Sequence, residues 1–174
     1  YYYYTPDFPL TIRKHGPSAS TAFRDYLLDA NGGPGGMSMT VRHPQSLKQV
    51  PCLATEWAVS EDGKTVYFKI DPDARYSDGV KVTADDFFFA FYYRTHPWVE
   101  DPWGAEWFVT KYTNITKYDD LTVSITFSEA KPDVVYWAGI GPVPRHFYKD
   151  FDEDYLEKYN WRFEPTTGPY SLVE

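Results

Sequence analysis

The chain has 174 residues, 17 Lys and Arg against 25 Asp and Glu, a formal charge of -8 and an aromatic fraction of 20%. An apolar fraction of 43% is enough for a core and argues against wholesale disorder, while no stretch approaches the roughly 20 apolar residues of a membrane-spanning helix. The acidic balance without a Lys/Arg cluster excludes nucleic acid as a partner, and the single Cys52 can make neither an intrachain disulfide nor, alone, a zinc site.

The chain opens Tyr1-Tyr2-Tyr3-Tyr4-Thr5-Pro6, with no basic and apolar leader. It does not begin with Met and it stops on Ser171-Leu172-Val173-Glu174, which reads as the opening of a strand, so a piece of a longer protein is expected. Phe8, Leu10 and Ile12 alternate as one face of a strand, and the turn Lys14-His15-Gly16-Pro17-Ser18 stops it. A helix is then expected from Ser20 or Thr21, with Phe23, Tyr26, Leu27 and Ala30 on one stripe, ended by Asn31-Gly32-Gly33-Pro34-Gly35-Gly36.

Residues 37–60 read as short strands and turns. Residues 53–60 and 65–70 flank the turn Glu61-Asp62-Gly63-Lys64, with Val66, Phe68 and Ile70 on one face, which predicts a hairpin. Residues 71–81 form a polar loop. Thr83 then caps a helix, answered three residues later by Asp86, and Phe87 to Tyr93 are apolar all round, which predicts a helix buried between layers. Residues 95–107 are read as a loop carrying His96-Pro97-Trp98 and Asp101-Pro102-Trp103-Gly104. Strands are expected over 108–116 and 121–127, the second with Leu121, Val123, Ile125 and Phe127 in clean alternation. Short helices follow over 131–138 and 152–159. Hairpins with single helices predict an α+β fold rather than repeated βαβ units.

Motifs for chemistry are scarce. The glycines of residues 32–36 lack the Lys-Ser/Thr of a phosphate loop, and no G-x-S-x-G elbow is present. His15, His43, His96 and His146 are dispersed without metal-ligand spacing. Asp71 to Gly79 resembles half of a calcium loop, but Arg75 and Tyr76 stand where an oxygen ligand and a glycine are required. The run Asp150, Asp152, Glu153 and Asp154 reads as a solvated helix start. No catalytic residue, metal or cofactor is expected. The aromatics carry more information: on the helix they read as core, whereas Trp98 and Trp103, among prolines, acids and glycine, either cover a neighbour or line a recess.

Residues 53–70, Leu53-Ala54-Thr55-Glu56-Trp57 through Asp62-Gly63 to Tyr67-Phe68-Lys69-Ile70, resemble the "L-A-x-S-W-x-x-S-x-D-G-x-x-Y-x-F-x-L" segment of family 5 extracellular solute-binding proteins, the peptide-binding components of ABC importers. Ala74-Arg75-Tyr76-Ser77-Asp78-Gly79 through Thr83-Ala84-Asp85-Asp86 resembles that family's "A-x-F-x-D-G-x-P-x-T-A-x-D-V" run. Pro144-Arg145-His146-Phe147-Tyr148 is similar to its "P-K-H-I-Y", and Thr167-Gly168-Pro169-Tyr170 to its "G-T-G-P-Y", with Thr166 in place of the first glycine.

The resemblance implies a fold of the periplasmic-binding-protein type II, in which two lobes close on a solute. Residues 1–36 would open the main domain of the first lobe, 37–157 would be a smaller domain inserted in it, and 158–174 would re-enter the main domain. By motif position, His15, Gly16, Pro17 and Trp103 would approach the ligand. The implied function is capture of a peptide or similar small solute for an ABC permease, by a monomer in the periplasm or anchored outside the membrane. The alternative is a free-standing carbohydrate-binding β module with Trp98, Trp103 and Trp107 as its platform; an enzyme, which would need His and carboxylates in one pocket, stands third.

Overall fold

The computed structural model describes residues 36–99, 102–159, 162 and 164–169, and of residues 103 and 156 the backbone alone. The expected strand and helix of residues 7–30 lie outside the described residues. Strands β1 (Thr40–Arg42) and β2 (Gln49–Pro51) pair antiparallel as a small hairpin. Strands β3 (Ala54–Val59) and β4 (Thr65–Ile70) form the expected larger hairpin, and Gly63 supplies the positive φ of 67° in its turn.

β5 (Tyr112–Lys117) and β6 (Thr122–Phe127) complete a four-stranded antiparallel sheet in the order β3-β4-β6-β5. The register sets Trp57 against Phe68, Phe68 against Val123 and Ile125 against Ile115. Period-2 alternation therefore puts Val66, Phe68, Ile70, Val123, Ile125 and Phe127 on one buried face. The opposite face is polar: Thr65 and Thr126 share a hydrogen bond of 3.1 Å, and Tyr67 and Tyr118 lie ring to ring at 6.0 Å.

Helix α1 (Ala84–Thr95) begins where Thr83 predicts. The Thr83 N–H donates to Asp86 Oδ2 at 2.8 Å, the reciprocal half of a capping box. Its residues divide between two clusters. Ala84 and Phe87 join the core over the sheet, whereas Phe89 and Ala90 join Val99, Val143, Tyr148, Tyr155 and Tyr159 behind the helix. Burial between layers thus holds for two sides. A third is open, with Phe88 53% and Tyr92 44% exposed, one turn apart.

Of the loop expected over 95–107, residues 97–99 and 102–107 are helical. Pro97–Val99 form a 3-10 turn, and α2 (Pro102–Lys111) is a helix that Pro102 opens at its first position, where its missing N–H costs nothing. This helix takes the first part of the strand expected over 108–116, so pairing starts only at Tyr112. Phe108 is buried against Phe91 and Tyr112, and that packing overrides the strand preference of Phe108-Val109-Thr110. Trp103 is therefore the second residue of a helix and not a loop residue.

The chain ends its described course with α3 (Val134–Trp137), entered through Asp133 at φ 52°, and α4 (Tyr155–Tyr159). Residues 143–159 pack on the outer side of α1, where the Phe151 ring meets those of Phe89, Tyr93, Trp98 and Tyr155. No helix among the described residues is long and apolar enough to cross a membrane.

Candidate functional site

Three of the four segments that carry the resemblance come together at one junction. The loop after β4 is narrowed by a bridge between Arg75 and Lys81, and Gly79 takes its positive φ. From this loop the Ser77 N–H donates to the Thr166 carbonyl at 2.7 Å, and Ser77 Oγ accepts from the Thr166 N–H at 3.1 Å. Next to it, Asp78 Oδ2 lies 2.8 Å from His146 Nε2, and the His146 ring packs at 5.1 Å on that of Tyr76. The Met37 N–H donates to Thr167 Oγ1 at 3.0 Å, so residues 37 and 167 lie side by side.

Asp86 holds the same junction from inside. Only 4% exposed, it accepts at Oδ2 from the Thr83 N–H and at Oδ1 from the Arg145 N–H, the latter at 3.1 Å, while its carbonyl accepts from the Val143 N–H. Burial pushes the Asp86 carboxyl above the usual carboxylate range, opposed by those N–H groups, the Thr83 hydroxyl and His146. Burial, then the carboxylates of Asp86, Glu164 and Asp78, push the neighbouring Tyr76 hydroxyl far above its ordinary range. That hydroxyl lies near Asp86 without a well-formed hydrogen bond. Tyr148 closes the set by donating to Glu164 Oε2 at 2.6 Å.

In this clasp, polar side chains of one segment bind another segment of the same chain. The polar residues within these motifs therefore hold the chain together here. Of the residues the resemblance assigns to the ligand, His15, Gly16 and Pro17 lie outside the described residues. Trp103 is placed by its backbone in the first turn of α2, and its side chain lies outside them too. The other two tryptophans of the proposed carbohydrate platform belong to different clusters. Trp98 packs on His96 and Phe151, whereas Trp107 packs on Phe108 and Tyr112 under the Lys111 ammonium.

Elsewhere, an open recess of about 560 Å³ is lined by Asp150, Phe151, Asp152, Lys158, Tyr159 and Arg162. Lys158 pairs with Asp152, and Arg162 lies over the rings of Phe147 and Tyr159, so both cations already have protein partners. Among the described residues no three of His, Cys, Asp and Glu gather as metal ligands. Burial pushes the Cys52 thiol up, away from the thiolate a nucleophile needs.

The fold is that of a portion of a periplasmic-binding protein of type II. Among solved structures, AppA of Clostridium difficile superposes with a TM-score of 0.65 at 22% identity, over 87% of this chain and 31% of that one. OppA of Haemophilus influenzae, in complex with the peptide RPPGFSPFR, gives 0.63 at 22% identity, over 79% and 29%. The substrate-binding domain of an oligopeptide ABC transporter from Bacillus anthracis gives 0.61 at 26% identity, again over 79% and 29%. The chain matches no curated protein sequence. The model of bacterial extracellular solute-binding proteins, family 5, matches residues 48–174, and the chain belongs to that family. It spans under a third of the length of these solved relatives.

Proposed function

We propose that this chain is part of the substrate-binding component of an ABC importer, a non-catalytic protein that captures a peptide or similar small solute and delivers it to a permease. The family match over residues 48–174, with three of its four motifs gathered into one clasp, carries this reading. Residues 37–157 act as a smaller domain inserted into the first lobe, with 1–36 before it and 158–174 returning to the main domain. The side-by-side placement of Met37 and Thr167 supports that division, because an inserted domain enters and leaves its host at one place.

Ligand bridges two lobes and shifts an equilibrium between open and closed forms. His15, Gly16, Pro17 and Trp103 contribute the first lobe's contacts. The protein works as a monomer in the periplasm, or outside the cell on a membrane anchor. Calorimetry tests the reading: a small peptide titrated into the full-length protein gives a saturable isotherm, and the same peptide gives little or no heat with the 174 residues alone, which lack the second lobe's contacts. Equal affinity for both proteins would overturn it.

A further inference from the structure

Asn114-Ile115-Thr116 is an N-x-Thr triplet, the acceptor pattern for N-linked glycan, on a chain of an extracellular family. A bare triplet recurs by chance, so its placement decides. Asn114 lies on β5, an edge strand of the four-stranded sheet, directly after the register shift between Tyr112 and Asn114 that bends this strand. It is exposed on the polar face, opposite Thr126, and Asn114 Nδ2 donates to Thr116 Oγ1 at 2.9 Å, so the two side chains that define the triplet already meet. One row along the same face, Thr116 pairs with Ser124 and Ser124 with Tyr67, and the Tyr118 hydroxyl lies 3.2 Å from Ser124 Oγ. The exposed rings of Tyr67 and Tyr118 therefore leave an aromatic surface on this face, beside a row of small hydroxyl side chains.

We propose that Asn114 is a glycosylation site. The donor is an oligosaccharide linked through its anomeric carbon to a lipid phosphate. Asn114 Nδ2 bonds to that carbon, the carbon's bond to the phosphate oxygen breaks, and the lipid phosphate leaves with the electron pair. The Nδ2 proton passes to a base of the transferase, and nothing is oxidised or reduced. A glycan here also blocks the open edge of β5 against pairing with another chain.

The assignment rests on the protein being exported, so cell fractionation accompanies the test. Lys111 and Lys117 flank the site, and trypsin releases β5 as one six-residue peptide in the unmodified form. Mass spectrometry of the full-length protein from its native cell is expected to find that peptide carrying hexose or N-acetylhexosamine units. Asn114→Gln and Thr116→Ala abolish the modification, and Thr116→Ser retains it. A bare peptide in protein recovered from outside the cytoplasmic membrane overturns the assignment. Recovery from the cytoplasm alone overturns the export reading, and the assignment with it.

Discussion

Asp86 is the residue on which most of the junction turns, because one buried carboxylate serves the helix cap and the segment after α3 together. Asp86→Ala leaves the N–H groups of Thr83 and Arg145 without that acceptor, and each such loss costs about 1–3 kcal/mol when buried. A destabilisation of about 2–4 kcal/mol is expected in urea unfolding. Asp86→Asn costs less, since one acceptor oxygen survives, but it turns an amide N–H toward a backbone donor. The pH dependence has a definite sign. A carboxyl held above its ordinary value prefers to be protonated in the folded state, so its contribution is fully present below the unfolded value of about 3.9. It is lost as pH rises through the raised folded value. The stability gap between the natural protein and Asp86→Asn should therefore narrow as pH rises from below about 4. A gap that widens would mean that the fold stabilises the carboxylate. Asp119 behaves oppositely: hydrogen bonds from the Leu121 N–H and the Thr122 hydroxyl lower its value, so its contribution is lost as pH falls through the folded value.

Helix α1 separates two cores, and its neighbouring phenylalanines have different duties. Phe87 is fully buried over the sheet, so Phe87→Ala should cost about 3–5 kcal/mol through lost transfer energy and the cavity left behind. Phe88→Ala, at a side chain 53% exposed, should stay within about 0.5 kcal/mol. Denaturant midpoints of the two variants check the contrast, and equal losses would mean that Phe88 is covered by something in solution. This division was only half legible in the sequence. Thr83 and Asp86 announced where α1 begins, and seven consecutive apolar residues announced burial without saying which side stays open. The β3–β4 hairpin and β6 were readable because alternation survives wherever one sheet face is buried. Helix α2 was hidden by Pro97, Pro102 and Gly104, which read as punctuation until Pro102 is seen to open a helix. The turn from helix to strand at Lys111 follows from tertiary packing of Phe108 and Tyr112, which no local pattern encodes. The motifs were visible as a family signature. That three of them converge on a clasp was not, because Ser77 and Thr166 lie 89 residues apart.

At the scale of the whole molecule, the clasp ties the loop after β4 and the segment around His146 and Tyr148 to residues 164–169. Sheet and clasp are distinct in kind. The sheet is held by buried apolar surface, whereas hydrogen bonds of Ser77, Thr167 and Tyr148 help to hold the segment over 164–169. Local opening at the clasp should therefore need far less free energy than opening the sheet. Ser77→Ala removes the oxygen that accepts from the Thr166 N–H while leaving the Ser77 N–H on the Thr166 carbonyl. Losing one such bond costs about 0.5–1.5 kcal/mol, and each 1.4 kcal/mol is a factor of about 10. The Thr166 amide should exchange with deuterium several-fold to about tenfold faster in the variant. Amides of β4 and β6, protected by the sheet, should keep their rates. If the sheet amides sped up by the same factor, clasp and sheet would open as one cooperative unit. The clasp could then transmit no movement independent of the sheet.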